Sequence, residues 1–449
     1  MMTLAEAAVL LGGTMGGADQ RFERVSTDSR TLKPGDLFVA LRGERFDGHA
    51  FLAVVAERGA AAALVDQQAK GPFPLPTVIV EDTRDALGAL ARHWRARFSP
   101  ALVAIAGSNG KTTVKEMLAA ILRCHAGEAA VLATSGNLNN DIGVPLTLLG
   151  MRPEHRWCAI ELGMNHRGEI PYLAQMAAPT VALVNNAQRE HLEFMHSVEE
   201  VAAENAAVYD ALPPNGVAVV NADDAQAAYF RQRAASRRIV DFGLTEATVS
   251  AGYQLKNLSS EIHIRTPLGE ARATLAIPGV HNVRNALAAA AAALAAGLPP
   301  AAIGGGLSAF RPYSGRLQVT QTKSGVTVID DSYNANPDSV RAAIDVLASC
   351  PRPTLLVLGD MGEVGEQRAQ FHREVGEYAR SRGISGLLAL GEATTHAVAA
   401  FGPGARHFEA LDELVGAIEA KTVLVKGSRF MKMERVVGAL TGTPSQGGH

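Results

Sequence analysis

Six apolar residues, Ala101-Leu-Val-Ala-Ile-Ala106, run directly into Gly107-Ser-Asn-Gly-Lys-Thr-Thr113. An apolar run that length, closed by a glycine turn, reads as a strand buried on both faces, and the lysine and hydroxyls that follow open a helix. Glycines let backbone N–H groups turn toward phosphate oxygens with no Cβ in the way, and the helix N-terminus adds positive potential. Lys111 is placed to neutralise the outer phosphates of a triphosphate, and Thr112 to ligate magnesium. Gly107, Ser108, Asn109, Gly110, Lys111, Thr112 and Thr113 are therefore the candidate nucleotide loop, with ATP and Mg2+ the expected cofactors. The two glycines enclose two residues, where the common phosphate loop encloses four.

The same pattern recurs along the chain. Trp157 to Leu162, Thr180 to Val184 and Gly216 to Asn221 are apolar runs with polar residues at their C-terminal ends. After a Pro/Gly segment near Phe310 to Arg316, further runs begin at Val326, Thr354, Gly386 and Val423. Before Ser99-Pro100 stand shorter pieces, Asp36 to Leu41, Ala62 to Val65 and Pro76 to Val80. The expected class is α/β in three domains: a smaller N-terminal one over 1–98, a central parallel-sheet one over 99–312 and a doubly wound C-terminal one over 313–449. A length of 449 residues supports more than one core. The tail from Thr441 to His449 reads as structureless.

Charge is nearly balanced, 42 basic against 45 acidic residues with no basic tract, which argues against nucleic acid or an anionic membrane as partner. Cys124, Cys158 and Cys350 stand far apart and make no disulfide framework, so a reducing cytoplasm is the expected location. Met1 to Leu11 contains Glu6 and lacks a basic leader, and reads as an amphipathic helix and not as a signal peptide. The alanine-rich stretch from Ala286 to Ala296 is too short to cross a bilayer.

Several side chains stand where strands end, which is where ligands bind in open parallel sheets. Glu161 could meet a magnesium ion held by Thr112; a solvated loop acid is the alternative. His191 follows the next strand by a similar offset. Asn282 and Asn285 open the alanine-rich helix, either as caps or as amides that read an adenine edge. Asp331, Asn334 and Asn336 lie in an Asx-dense turn after a strand, and Lys426 with Ser428 ends another, suited to clamping a carboxylate.

Together these stretches resemble the Mur ligases, the ATP-dependent amide-forming enzymes of bacterial peptidoglycan precursor synthesis. The compact loop, Glu161, His191, the run His281-Asn-Val-Arg-Asn-Ala286 and Arg316 match that family's order. Ser26 to Arg30 and Leu41 to His49 carry the likeness into the N-terminal block, so it spans nearly the whole chain. Within the family, Asn137 to Pro145, Asp331 to Pro337 and Leu358 to Glu363 look like the branch whose amine substrate is D-alanyl-D-alanine.

The resemblance implies an N-terminal domain for a UDP-N-acetylmuramoyl-tripeptide, a central ATPase domain and a Rossmann-like C-terminal domain, acting as a monomer. It places Lys111, Glu161 and His191 in catalysis and Thr112, Glu161 and His191 at magnesium. Arg316 and Asp331 go to the γ-phosphate and ribose, and Asn282 to adenine. Ser29, Arg30, Arg45, Asp47 and Gly48 face the UDP-sugar, and Asn137, Asn139, Asn140 and Asp141 the peptide end. Asn334, Asn336, Lys426 and Ser428 take the dipeptide. One departure stands out: Asn205 occupies the place where many members carry a lysine, modified to a carbamate, that helps hold a second magnesium. No lysine occurs between Lys115 and Lys256. Asn205, Glu204 or a water is the expected substitute. The competing readings are a ligase for a single amino acid, of Mur or folylpolyglutamate type, and a slow nucleotide-hydrolysing regulator.

Overall fold

The computed structural model describes residues 1–44 and 46–442; Arg45 and residues 443–449 lie outside it. The central domain is built on a nine-stranded sheet. Six strands run parallel in the order Val131–Ala133, Trp157–Glu161, Ala101–Ala106, Val181–Val184, Val217–Asn221 and Arg238–Gly243. Their side chains are buried on both faces, as the continuous apolar runs require. Register fixes the site: Glu161 pairs with Ile105 and Val184 with Ala106, so the loop after Ala106, the carboxylate of Glu161 and the turn after Val184 meet at one carboxyl edge.

Beyond Gly243 the sheet continues through Val249–Leu255, Ser260–Thr266 and Gly269–Leu275, the last three antiparallel to one another. Here burial alternates: Ser260, Ile262 and Ile264 are covered while Glu261 and Arg265 face out. One face is wet, so these strands carry a period of two. The alanine-rich helix is Val280–Ala295, buried along most of its length among the sheet, helix Lys111–Ala126 and helix Pro300–Ala309. Pro300–Ala309 crosses Lys111–Ala126 so closely that a Cβ on Gly306 would stand 2.2 Å from the Cα of Ile121. Glycine is what permits that contact.

The N-terminal domain holds a five-stranded sheet, parallel except for the edge strand Thr14–Gly16. Its last helix, Thr83–Arg95, starts where Asp82 caps the N–H groups of Arg84 and Asp85. That helix is shared with the central domain. Leu87, Leu90 and Trp94 lie in one apolar core with Leu148 and Leu173, and the Arg95 guanidinium donates to the carbonyls of Ala177 and Ala178 at 2.9 and 3.0 Å.

The C-terminal domain has a six-stranded sheet, parallel apart from the edge strand Gln318–Gln321. Asp331 and Lys426 are register partners at the carboxyl ends of neighbouring strands. The chain's end differs from expectation in one respect: Thr441 closes helix Glu434–Thr441, with Gly442 as its left-handed cap. The expected helix near the start is Leu4–Leu11, held by a capping box between Thr3 and Glu6.

Candidate active site

The carboxyl edges of the central and C-terminal sheets face each other across a cavity of about 1070 Å³. All three domains line it: Arg84 and Asp85 from the first, the loop, Glu161 and His191 from the second, and Arg316, Asn334, Asn336 and Ser428 from the third.

The loop is set by its glycines and by amides around it. Gly110 caps helix Lys111–Ala126 with φ +81°, and a Cβ there would stand 2.4 Å from Oδ1 of Asn285. Gly107 N–H donates to Asn205 Oδ1 at 2.7 Å, Ser108 N–H to the carbonyl of Asn186 at 3.0 Å, and Asn109 N–H to Asn186 Oδ1 at 2.8 Å. Lys111 is folded back: its Nζ donates to the carbonyls of Gly107 (2.5 Å) and Ser108 (3.0 Å) and to Glu190 Oε1 (3.2 Å). Thr113 is buried one residue beyond Thr112 and does not line the cavity.

Beside the loop, the hydroxyl of Thr112 donates to Glu161 Oε1 at 3.2 Å and Asn139 Nδ2 donates to the same oxygen at 2.8 Å. Glu161 Oε2 and Glu190 Oε2 are both buried without a hydrogen-bond partner. Such orphaned carboxylate oxygens are expensive unless a cation joins them. Among the described residues no three His, Cys, Asp or Glu side chains converge on one point. His191 sits between carboxylates, Nδ1 2.6 Å from Glu363 and Nε2 3.5 Å from Glu190. Burial pushes its pKa down, but Glu190 and Glu363 more than offset this and raise it to about 9. Burial likewise pushes Glu190 up, and Lys111 and His191 together hold it below the usual carboxylate range.

The two side chains expected to stand in for the missing lysine have partners within the protein. Glu204 accepts from the N–H groups of Gly168 (3.0 Å) and Ile170 (2.8 Å), capping helix Glu169–Ala177 with both oxygens. Asn205 is buried, with Oδ1 on Gly107 and Nδ2 on the carbonyl of Val201 at 3.0 Å. One holds a helix end and the other braces the phosphate loop, so each side chain already has a structural task.

Other expected residues divide sharply. Asn282 and Asn285 stand behind the cavity wall, in a chain of amides that runs Asn285 to Asn282 (3.0 Å), Asn185 to Asn285 (2.9 Å) and Asn185 to the carbonyl of Asn109 (2.7 Å). In this arrangement they help order the loop from behind. Asn139 binds Glu161, so it serves the metal side more directly than the peptide end. Asn140 caps helix Gly143–Leu149 and Asp141 pairs with Arg84 at 3.0 Å, both on the cavity, whereas exposed Asn137 is not.

In the C-terminal domain the buried Lys426 ammonium binds Asp331 Oδ2 at 2.6 Å and the carbonyl of Asn334 at 2.8 Å. Burial pushes its pKa down while Asp331 opposes the shift. Asp331 thus lies behind the lining, held by Lys426 and by the N–H of Leu317. Ser428 accepts from the N–H of Gly362 at 2.7 Å, and Arg316 stacks over the ring of Tyr333 at 4.2 Å. Ser29, Arg30, Asp47 and Gly48 do not line the cavity; Arg30 pairs with Asp28, and Asp47 with Arg42 and His49. Arg45 lies outside the described residues.

Residues that sequence reading passed over include Glu190, Glu363 and Arg84. Glu190 is the neighbour of His191 and Glu363 ends the Leu358 run, but nothing local marks which of several acids will be buried.

Comparison with known proteins agrees with this geometry. Residues 21–95, 105–293 and 315–429 match the family models described as Mur ligase family catalytic domain, Mur ligase middle domain and Mur ligase glutamate ligase domain. The UDP-N-acetylmuramoyl-tripeptide–D-alanyl-D-alanine ligases of Escherichia coli and Haemophilus influenzae are 41% and 39% identical, each over 98% of both chains. The crystal structure of MurF from Acinetobacter baumannii superposes with a TM-score of 0.90 at 34% identity, over 98% of both chains. MurF of Thermotoga maritima, solved with ADP, gives 0.81 at 25% identity over 94% of this chain and 97% of that one. Three family domains in order, relatives matched end to end and a phosphate loop facing a second sheet's carboxyl edge agree: the chain belongs to the Mur ligase family.

Proposed function

We propose that this enzyme joins the amine of D-alanyl-D-alanine to the terminal carboxylate of UDP-N-acetylmuramoyl-tripeptide, at the expense of ATP. The observation that carries the reading is the single cavity walled by the phosphate loop, Glu161 and the Asx-rich turn of a facing domain. Full-length relatives named for that reaction support it over a single-amino-acid ligase. Membership of a ligase family replaces the regulator reading. Solved folylpolyglutamate synthases share the fold at 17% identity and indicate no more than that.

A carboxylate resists attack by an amine, so it must first take the γ-phosphoryl group of ATP and become an acyl phosphate. Two anions meet in that step, and the protein's main task is to neutralise them. Lys111, released from Glu190, would move onto the outer phosphates, and Arg316 would approach from the other wall. Thr112 and Glu161 would hold Mg2+, whose orphaned partner oxygen fits a cation. Glu190 and His191 would hold a second, in the place of the modified lysine, with Glu363 orienting the ring. Bound there, magnesium would supply charge neutralisation to the phosphate oxygens. Lys426, Asn334, Asn336 and Ser428 would set the dipeptide so that its amine meets the acyl carbonyl; the tetrahedral adduct then expels phosphate and the amide closes. Ser29, Arg30, Asp47 and Gly48 would hold the UDP end, remote from this chemistry.

The division of labour follows the domains 1–98, 99–312 and 313–449. One chain completes the cavity, so a monomer suffices. The substrate set and three unpaired cysteines fit the cytoplasm, and among the described residues no helix is long and apolar enough to cross a membrane. The test is phosphate release from ATP with the UDP-tripeptide, with and without D-alanyl-D-alanine. Release that requires the dipeptide is expected; release with a single amino acid and not with the dipeptide would overturn the assignment.

A further inference from the structure

The turn after strand Val181–Val184 touches both the phosphate loop and the C-terminal domain. Asn186 and Gln188 face the phosphate loop: Asn186 Oδ1 accepts from the N–H of Asn109 at 2.8 Å, Asn109 Nδ2 donates to Gln188 Oε1 at 2.7 Å, and Ser108 Oγ accepts from the N–H of Gln188 at 3.0 Å. Glu190 faces Lys111. Between them Arg189 points the other way, into the C-terminal domain. Its guanidinium forms a fork with Asp338 (2.6 Å to Oδ1 and 3.2 Å to Oδ2) and another with Glu374 (2.8 and 3.0 Å), over the ring of Phe371 at 5.1 Å. Its backbone N–H donates to Asp338 as well, at 3.0 Å.

Asp338 stands in the first turn of helix Pro337–Ala348, capped by Asn336, and Asn336 Nδ2 donates to Asn109 Oδ1 of the phosphate loop at 2.8 Å. Arg341 from the same helix also reaches Glu374, at 2.9 Å. The Arg189 hydrogen bond holds the Glu374 carboxyl below the usual range. A bidentate arginine is the side chain that fixes orientation as well as distance. The turn is thus laced to the nucleotide loop through Asn185, Asn186, Gln188 and Glu190 and to the dipeptide domain through Arg189.

We infer that Arg189 is a positioning residue that couples occupancy of the phosphate loop to docking of the C-terminal domain, and thereby assembles the dipeptide site. This rests on the ligase reading above. Triphosphate drawing Lys111 away from Glu190 acts on the residue next to Arg189. Any shift of the turn reaches Asp338 and Glu374 directly, so the domain carrying Asn334, Asn336 and Ser428 responds to nucleotide. Coupling of this kind is a difference in affinity between two sites and is read as such.

The experiment compares the wild type with Arg189→Ala, Arg189→Lys and Glu374→Gln. It measures the Kd of a non-hydrolysable ATP analogue with and without saturating dipeptide, the KM for D-alanyl-D-alanine by phosphate release, and the radius of gyration by X-ray scattering with and without the analogue. Arg189→Ala should raise the dipeptide KM by about tenfold or more, lose the tightening of the analogue Kd that saturating dipeptide gives the wild type, and keep the larger radius when the analogue is bound. Arg189→Lys retains charge without the fork and should fall between. Glu374→Gln, on helix Arg368–Ser381, removes the charge from the second fork without altering any residue of the turn, and its KM should rise with the same loss of tightening even if the Ala variant folds poorly. Dipeptide that still tightens the analogue Kd in Arg189→Ala, or a wild-type contraction in Arg189→Ala and Glu374→Gln, would overturn the coupling role. A wild type that releases phosphate without needing the dipeptide would instead sink the ligase reading.

Discussion

Replacing Lys111 with alanine should damage two things that can be separated. In the structure Lys111 is the cation against Glu190 and the donor to two loop carbonyls. Removing one partner of a fully buried pair costs about 3–5 kcal/mol. Both side chains are 11% exposed, and His191 remains 3.5 Å from Glu190, so about 2 kcal/mol is the reasoned loss. For a domain of this size that lowers Tm by roughly 4–8 °C. Glu190 titrates below its ordinary value, so its stabilising contribution is present above the carboxylate range and lost as pH falls through it. The gap between variant and wild type should therefore be full at neutral pH and narrow in acid. Adding Glu190→Gln removes the stranded charge and should restore most of the Tm, while turnover stays down by at least ~100-fold because nothing neutralises the phosphates. Thermal denaturation across pH, beside phosphate release, reads both effects. A single variant that melts with the wild type would refute the pairing argument; one that turns over normally would refute the ATP site.

Glu161→Gln should lower kcat by roughly 100-fold and raise the magnesium requirement while leaving Tm unchanged or higher, because a neutral amide relieves a buried orphan oxygen; calorimetric titration of magnesium with the ATP analogue checks this. Asn205→Ala strands the buried N–H of Gly107, a loss of about 1–3 kcal/mol, and should raise the KM for ATP with the magnesium dependence intact; Asn205→Asp, which keeps the acceptor, should be milder. His191 titrates above its ordinary value, so its pairing with Glu363 is complete below about 6.5 and lost as pH rises through about 9. The radius of gyration of the free enzyme should grow across that window, and Glu363→Gln should flatten the change.

Sequence alone predicts the elements whose physics is one-dimensional. A strand covered on both faces must be apolar throughout, so Ala101–Ala106 and Gly386–Leu390 stand where their runs do, and Val181–Val184 and Val217–Asn221 start one residue inside theirs. The hairpin region from Val249 to Leu275 escaped the reading because Glu261, His263 and Arg265 break the apolar run; their side chains need cover on one face only. The sharing of helix Thr83–Arg95 between two cores is a tertiary fact. Its amphipathic pattern shows that a face is buried and not against which domain.

The site follows the same logic with a harder limit. Strand ends locate Glu161, the loop and the Asx turn, because topology alone brings carboxyl edges together. Polar residue type does not say which polar groups will face ligand. Asn282, Asn285, Asn205 and Glu204 each carry chemistry suited to a nucleotide or metal, yet their donors and acceptors satisfy backbone and one another. A buried amide must be paired, and whether its partner is a ligand or the protein's own loop depends on contacts 76 to 100 residues away in sequence, as for Asn185 with Asn109 and Asn285. The informative groups are those the fold leaves unpaired. Glu161 Oε2, beside Thr112, and Glu190 Oε2, beside Lys111, are buried without a hydrogen-bond partner. A site built to receive phosphate and cations would keep such a deficit of positive charge until its substrates arrive.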